Sequence, residues 1–462
     1  MARVRKLFHF HLLRFAVALA SLSMAACSLF EAKPAMLWTD TPEMLIAVEM
    51  FNASQNRHLI EVHYVGELAE TLASPPAKTE TQPSLIIGKG IRTASLNSYF
   101  ESMEYLFGEL VLPKSAFYPG LLEGGVENGR QTLVPVSFNL MLVLSRKEAA
   151  GEVDTSELHA PVEETTAITM EEIQRRAILF NGYGKMPAER MAFSPRWPDK
   201  DFLFQWMQLG GAAFAEKGPK NEKKNANGTI LPLTWNSPGL ESAVSSLRGY
   251  VRAVNGSVAA EDAFAFTYLF APGYKNVETG KILFAAMNSA DYFTLSPMTR
   301  SKFDYRYFSE KGKLALSEGI KYAGIPRRAP NKESAEQFLH WFFNADHQQA
   351  ILEKSRALRL SESAFGIAGG FSSLQSVTES LFPSYYVDLL GQVPPKAMIA
   401  PPMIMPPAWD RIKADVIMPW LDGIAGEASG GNASDELAAN LEAYLDKNPD
   451  LRSGDLRSGN PR

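Results

Sequence analysis
The side chains able to do chemistry are few and scattered. Of the histidines beyond the first segment, His58, His63, His159, His340 and His347, no set has the spacing of metal ligands. His58 and His63 are an odd number of residues apart, so one strand points them to opposite faces. Glu163-Glu164 and Glu171-Glu172 are paired carboxylates of the kind acid–base catalysis uses, but a solvated helix or loop face accounts for both. HExxH and GxSxG are absent. Gly88-Lys89-Gly90 lacks the spacing and the Ser/Thr of a phosphate loop. The expectation is a protein that is not an enzyme, with no catalytic residue, no metal site and no cofactor.

Cys27 is the one cysteine, so no intrachain disulfide can form. It follows a leader with a basic start (Arg3, Arg5, Lys6, Arg14), a short apolar run from Phe15 to Leu22, and then Met24-Ala25-Ala26. The run is too short to span a bilayer, and the pattern is that of a signal peptide. Small residues before a lone cysteine look like a lipobox, with cleavage before Cys27 and acylation of its thiol. Two acyl chains give stable membrane anchoring where one is marginal. A plain secretory signal with an incidental cysteine is the alternative. Removing the four basic residues of the leader takes the formal charge from -5 to -9. An acidic mature chain argues against nucleic acid as a partner.

The elements that must position any binding residues centre on 131–146, QTLVPVSFNLMLVLSR. Its Val- and Leu-rich run suits a strand buried on both faces. Pro135 cannot donate to a ladder, so the strand should kink there. Ser137 and Asn139 then leave polar groups for a ligand if the strand bridges two lobes; an ordinary core strand with a bulge is the other reading. Strand, helix and strand signals follow one another at Ala35-Met36-Leu37-Trp38, Met44 to Phe51, and His58 to Val65, with Asp40 or Thr41 as helix cap. Ser84 to Gly88 reads as a third strand, with Lys89 at its end, where open α/β sheets bind ligands. Asn331 reads as the cap of a helix burying Ala335, Phe338, Leu339 and Phe342. Ser434 reads as the cap of the last helix. The repeated Asp-Leu-Arg-Ser-Gly at 450–459 reads as a disordered tail.

The order of these segments resembles the extracellular solute-binding proteins of bacterial ABC importers, of the maltodextrin- and glycerol-phosphate-binding type. The resemblance rests on Asn128-Gly129 through Pro135 with Leu142 to Arg146, on Gly280-Lys281-Ile282 through Met287, on Pro330-Asn331-Lys332-Glu333 through Leu339, and on Pro406-Pro407-Ala408-Trp409 with Trp420 to Ile424. It covers roughly 36–445. Ser84 stands where the family usually has Asp, and no Trp follows Met287-Asn288, which departs from a standard maltodextrin site.

The resemblance implies a type II periplasmic-binding-protein-like α/β fold: two lobes of mostly parallel sheet covered by helices, with a ligand cleft between them. The implied division is signal peptide 1–26, lipidated tether 27–33, first lobe 34–144 and 281–345, second lobe 145–280 and 346–446, and tail 447–462. The implied function is capture of a small solute, carbohydrate or sugar-phosphate-like, and its delivery to ABC permease transmembrane subunits. The protein would be a monomer held to a membrane of the cell envelope through Cys27. A surface or sensor protein keeping this fold without transport is the competing expectation. The implied ligand-binding residues are Trp38, Asp40 and Lys89 in the first lobe, Asn288 and Tyr292 on its return, Ser137 and Asn139 on the crossing strand, and Arg196 and Trp197 in the second lobe. Trp409 occupies the place of a Trp that stacks on sugar in maltodextrin-binding relatives; a flat indole suits a pyranose face.

Overall fold
The computed structural model describes residues 34–74, 82–108, 112–147, 166–182, 190–197, 200–217, 231–268, 270–426 and 432–451. The leader, Cys27, the tether, Glu163-Glu164, His159 and the Asp-Leu-Arg-Ser-Gly repeat beyond Leu451 lie outside the described residues. In chain order the elements needed here are β1 (Ala35–Thr39), α1 (Met44–Ser54), β2 (Ile60–Tyr64), α2 (Leu68–Ala73), β3 (Leu85–Gly88), β4 (Val134–Phe138), β5 (Met141–Arg146), β6 (Ala167–Thr169), α3 (Lys200–Gly210), β7 (Phe214–Glu216), α4 (Val258–Thr267), β8 (Ala285–Asn288), β9 (Phe303–Glu310), β10 (Lys313–Leu314), β11 (Lys321–Gly324), α5 (Lys332–Phe342), α6 (Ala345–Ala357), β12 (Phe371–Ser372) and α7 (Ala433–Lys447).

The first sheet has the order β12-β4-β11-β3-β1-β2. Its strands β1 and β3 are apolar and almost wholly buried, and α1 covers them with Met44, Ala47, Val48 and Phe51. The period-3.6 stripe of α5, Ala335, Phe338, Leu339 and Phe342, packs into the same core, each Phe or Leu contributing about 1.5–3 kcal/mol by burial. The second sheet has the order β8-β5-β9-β10, with β6 beside β9. Alternation divides its faces: Met141, Val143 and Phe308 join the second core, whereas Leu142, Leu144, Tyr305 and Tyr307 pack with the first.

The sheets are mixed rather than mostly parallel. Only β1–β2, β1–β3 and β6–β9 are parallel; every other pair in the two sheets is antiparallel. The cause is the crossing topology. A strand that leaves one sheet and a strand that returns to it run against each other, as β4 and β11 do. The kink expected at Pro135 appears as a register shift between Lys321 and Tyr322, opposite Ser137 and Pro135. Two crossings then run side by side: Ser317 N donates to Asn139 O at 2.9 Å and Met141 N to Ala315 O at 3.0 Å.

The expected lobe limits change accordingly. The chain does not return to the first lobe at 281, because β8 pairs with β5 in the second sheet. It returns at 315–320. It does not leave at 346 either: α6 supplies Ile351 and Leu352 to the first core, and β12 pairs with β4. A third crossing, at 392–407, carries six prolines. At the C-terminal end, Leu451 is buried in the second core, so the expected tail from 447 begins later. Three expected caps also differ. Neither Asp40 nor Thr41 caps α1, which has Glu43 at its cap position and no side-chain cap bond. Asn331 has a left-handed backbone (φ 49°) and donates to Pro34 O instead of capping α5. Asn432, not Ser434, caps α7, while Ser434 Oγ accepts from Trp235 Nε1 at 2.7 Å.

Candidate functional site
Between the two cores lies a cavity of about 730 Å³, within the roughly 300–1,000 Å³ usual for small-ligand clefts. It opens at the carboxyl ends of β1 and β3. Asp40 follows β1, and its carboxylate accepts Thr41 Oγ1 at 2.9 Å and the Lys89 backbone N at 3.1 Å. That contact explains the small residue before Lys89: a Cβ on Gly88 would lie 2.4 Å from Leu68 Cδ2 and 2.6 Å from Asp40 Oδ1. Burial raises the Asp40 pKa despite these hydrogen bonds.

A second polar group that gathers partners at the cavity is Glu318, on the second crossing. Its Oε1 accepts Trp409 Nε1 at 2.7 Å and its Oε2 accepts Lys413 Nζ, which also pairs with Asp201 of α3. Burial raises the Glu318 pKa, opposed by Lys413 and the Trp409 N–H and reinforced by Asp201. Burial alone would lower the Lys413 pKa, but its two carboxylate partners raise it. Trp409 starts a helical run that reaches Ile424 through a π-helical stretch at Lys413–Ile417. The wider turn accommodates Pro419, which lacks a backbone N–H. A wall of Met403, Met405, Pro402 and Pro406 closes another side. Six carboxylates, Asp40, Glu67, Glu70, Asp201, Glu318 and Asp410, line the cavity against four cations, Lys89, Arg92, Lys313 and Lys413.

Five of the ten expected ligand-binding residues line this cavity: Asp40, Lys89, Asn139, Asn288 and Trp409. Asn139 also ties the crossings to their neighbours, with Nδ2 on Gly369 O at 2.9 Å and Oδ1 accepting Ser289 Oγ at 2.8 Å. Asn288 caps the helix after β8 and donates to Ser317 Oγ at 2.8 Å. The other five do not line it. Trp38 is buried in β1, 5.5 Å from the His63 ring. Ser137 donates to Ala368 O. Tyr292 is fully buried among Phe293 and Tyr305. Arg196 pairs with Glu261 and Asp262 of α4, and Trp197 stacks on Phe264 of the same helix at 5.1 Å. Sequence reasoning missed Glu318, Asp201, Asp410 and Lys413. The break Ser317-Glu318-Gly319 in an otherwise apolar run was the available signal for the first. Among the described residues no His, Cys, Asp or Glu group is arranged to hold a metal ion, and no helix is long and apolar enough to cross a membrane.

The profile of bacterial extracellular solute-binding proteins matches residues 47–359. The chain belongs to that family. It is a family of binding proteins, not enzymes. A search of curated proteins finds no match. Among solved structures, a cyclic α-maltosyl-1,6-maltose binding protein from Arthrobacter globiformis aligns with TM-score 0.55 and 16% identity over 89% of this chain and 97% of its own. Maltose-bound MalE3 of T. maritima aligns with TM-score 0.52 and 16% identity over 90% and 99%. The ABC substrate-binding protein Lmo0181 from Listeria monocytogenes, in complex with cycloalternan, aligns with TM-score 0.51 and 13% identity over 90% and 98%. These likenesses show the two-lobed α/β fold.

Proposed function
We propose that this solute-binding protein captures a neutral carbohydrate between its lobes and delivers it to an ABC permease. The observation that carries the reading is the lining of the cavity: paired carboxylates and lysines around one indole, with carboxylates in excess. Carboxylates and amides accept and donate to vicinal hydroxyls, and the Trp409 ring offers an apolar face. The three solved neighbours named above, two of them holding sugar ligands, support the same class. The acidic excess narrows the expected solute from sugar or sugar phosphate to the uncharged sugar, because a phosphate would meet like charge. Pairing and packing support a first lobe of 34–138 with 320–391 and a second of 141–314 with 408–451.

A thermal-shift series tests the ligand class. Maltose, maltotriose and other neutral oligosaccharides should raise the melting temperature; at a hundredfold excess over Kd the gain is about 2.7 kcal/mol. Glucose 6-phosphate and glycerol 3-phosphate should not. Stabilisation by the phosphates alone overturns the reading. The anchor is part of the same proposal: Cys27→Ser should release the protein from the membrane fraction or leave the leader uncleaved. A Cys27→Ser protein that stays membrane-bound with its leader removed sinks the anchor.

A further inference from the structure
The mouth of the cavity is crossed by two ion pairs of opposite sense. Asp410 and Arg411 are consecutive residues between Trp409 and Ile412, both buried in the second core. Asp410 Oδ2 meets Lys89 Nζ, beyond β3 of the first sheet, at 2.6 Å. Arg411 meets Glu70 of α2 through both carboxylate oxygens, with Nε–Oε1 at 2.9 Å. On its own side Arg411 also reaches Asp450 at 3.5 Å, which steadies the guanidinium. Two further contacts lie beside them: Ala94 N donates to the Glu216 carboxylate of β7 across the same gap, and Arg92 donates to Pro402 O on the third crossing. Acid–base order reverses between the adjacent pairs, so they form in one register of the lobes only.

We infer that Lys89–Asp410 and Glu70–Arg411 form an electrostatic clasp that sets the closed fraction of the unliganded protein, and through it the affinity for solute. Glu70, Asp410 and Arg411 sit on helices and Lys89 directly follows β3, and no ligand atom is needed to complete the clasp. Apparent affinity for a ligand that requires the closed form scales with the fraction already closed. The clasp side chains are 22–56% exposed, so the bonds are strong enough to bias closure yet open to screening by salt. Arg411 lies outside the cavity lining, so it acts on affinity as a positioning residue. Only this affinity consequence rests on the function proposed above.

Small-angle scattering on the unliganded protein provides the test. From about 0.01 M to about 1 M NaCl the screening length falls from about 30 Å to about 3 Å, and the radius of gyration should rise. Arg411→Glu sets carboxylate against carboxylate and should hold the larger radius at both salts. The swap Glu70→Arg with Arg411→Glu should return the compact form at low salt. With maltotriose as probe, Arg411→Glu, a change outside the cavity lining, should weaken binding about three- to tenfold. One radius for all three proteins at both salts overturns the clasp, as does a swap that fails to recover the compact form at low salt. Maltotriose failing to bind wild type while the radius follows the charges overturns the proposed ligand class and leaves the clasp standing.

Discussion
Trp409→Ala should cost about 3–5 kcal/mol of folding stability, the usual range for deleting a buried indole. Trp409 is 6% exposed, with its ring 5.4 Å from Phe204 and 6.3 Å from Phe214. Truncation empties that space and leaves Glu318 Oε1 without the N–H it accepts. Urea unfolding of the unliganded protein measures the loss, and Trp409→Phe, which keeps the ring packing, should recover most of it. The indole also borders the cavity, so the proposed stacking predicts a further loss of about 1–3 kcal/mol in ligand affinity, on the scale of one large apolar side chain. A destabilised variant that binds sugar as wild type does removes Trp409 from the site. An alanine variant as stable as wild type contradicts the packing.

Arg196→Ala should cost as much, and for a different reason. Its guanidinium pairs at 3.1 Å with Glu261, whose side chain is wholly buried. Removing one partner of such a pair leaves a charge in low dielectric and typically costs about 3–5 kcal/mol. Burial already raises the Glu261 pKa, against hydrogen bonds from Asn255, Ser194 and Arg196. A carboxylate with a raised folded pKa contributes stability that is fully present below its free value of 4.5 and lost as pH rises through the folded pKa. Without Arg196 that pKa climbs further. The deficit relative to wild type should therefore be largest near neutral pH and shrink as pH falls toward 4.5. Ligand affinity in the folded variant should be unchanged, since Arg196 lies away from the cavity. A deficit independent of pH, or a selective loss of binding with full stability, contradicts this account.

What could be read from sequence followed the reach of each signal. The buried stripe of α5 and the helix after β1 are local periodicities, and both appear where the pattern puts them. Asp40 and Lys89 stand at strand ends, a position that favours ligands whatever the neighbours. Strand direction is different. An apolar run looks alike in parallel and antiparallel pairing, so β8 carries no mark of its partner β5. Arg196 and Trp197 have suitable chemistry, but the turn that bears them folds onto α4, a contact across more than sixty residues. Asn331 has the right side chain for a cap and the wrong backbone, because its left-handed φ turns the amide toward Pro34. Asp201 and Lys413 become site residues only when α3 and the helical run from Trp409 converge on Glu318.

The proline-rich third crossing behaves as a strut. From Ala400 to Pro407 the backbone forms neither helix nor strand, and proline fixes φ at four of its positions. A segment of this composition is extended and semi-rigid, near its full reach of about 3.1 Å per residue. It is pinned to one lobe where Arg92 holds Pro402 O and to the other where Glu216 N donates to Ile404 O. Fastenings to both lobes only two residues apart let the lobes swivel about this segment but resist pulling them apart. Met403, between the two fastenings, is therefore held by both lobes at once where it lines the cavity.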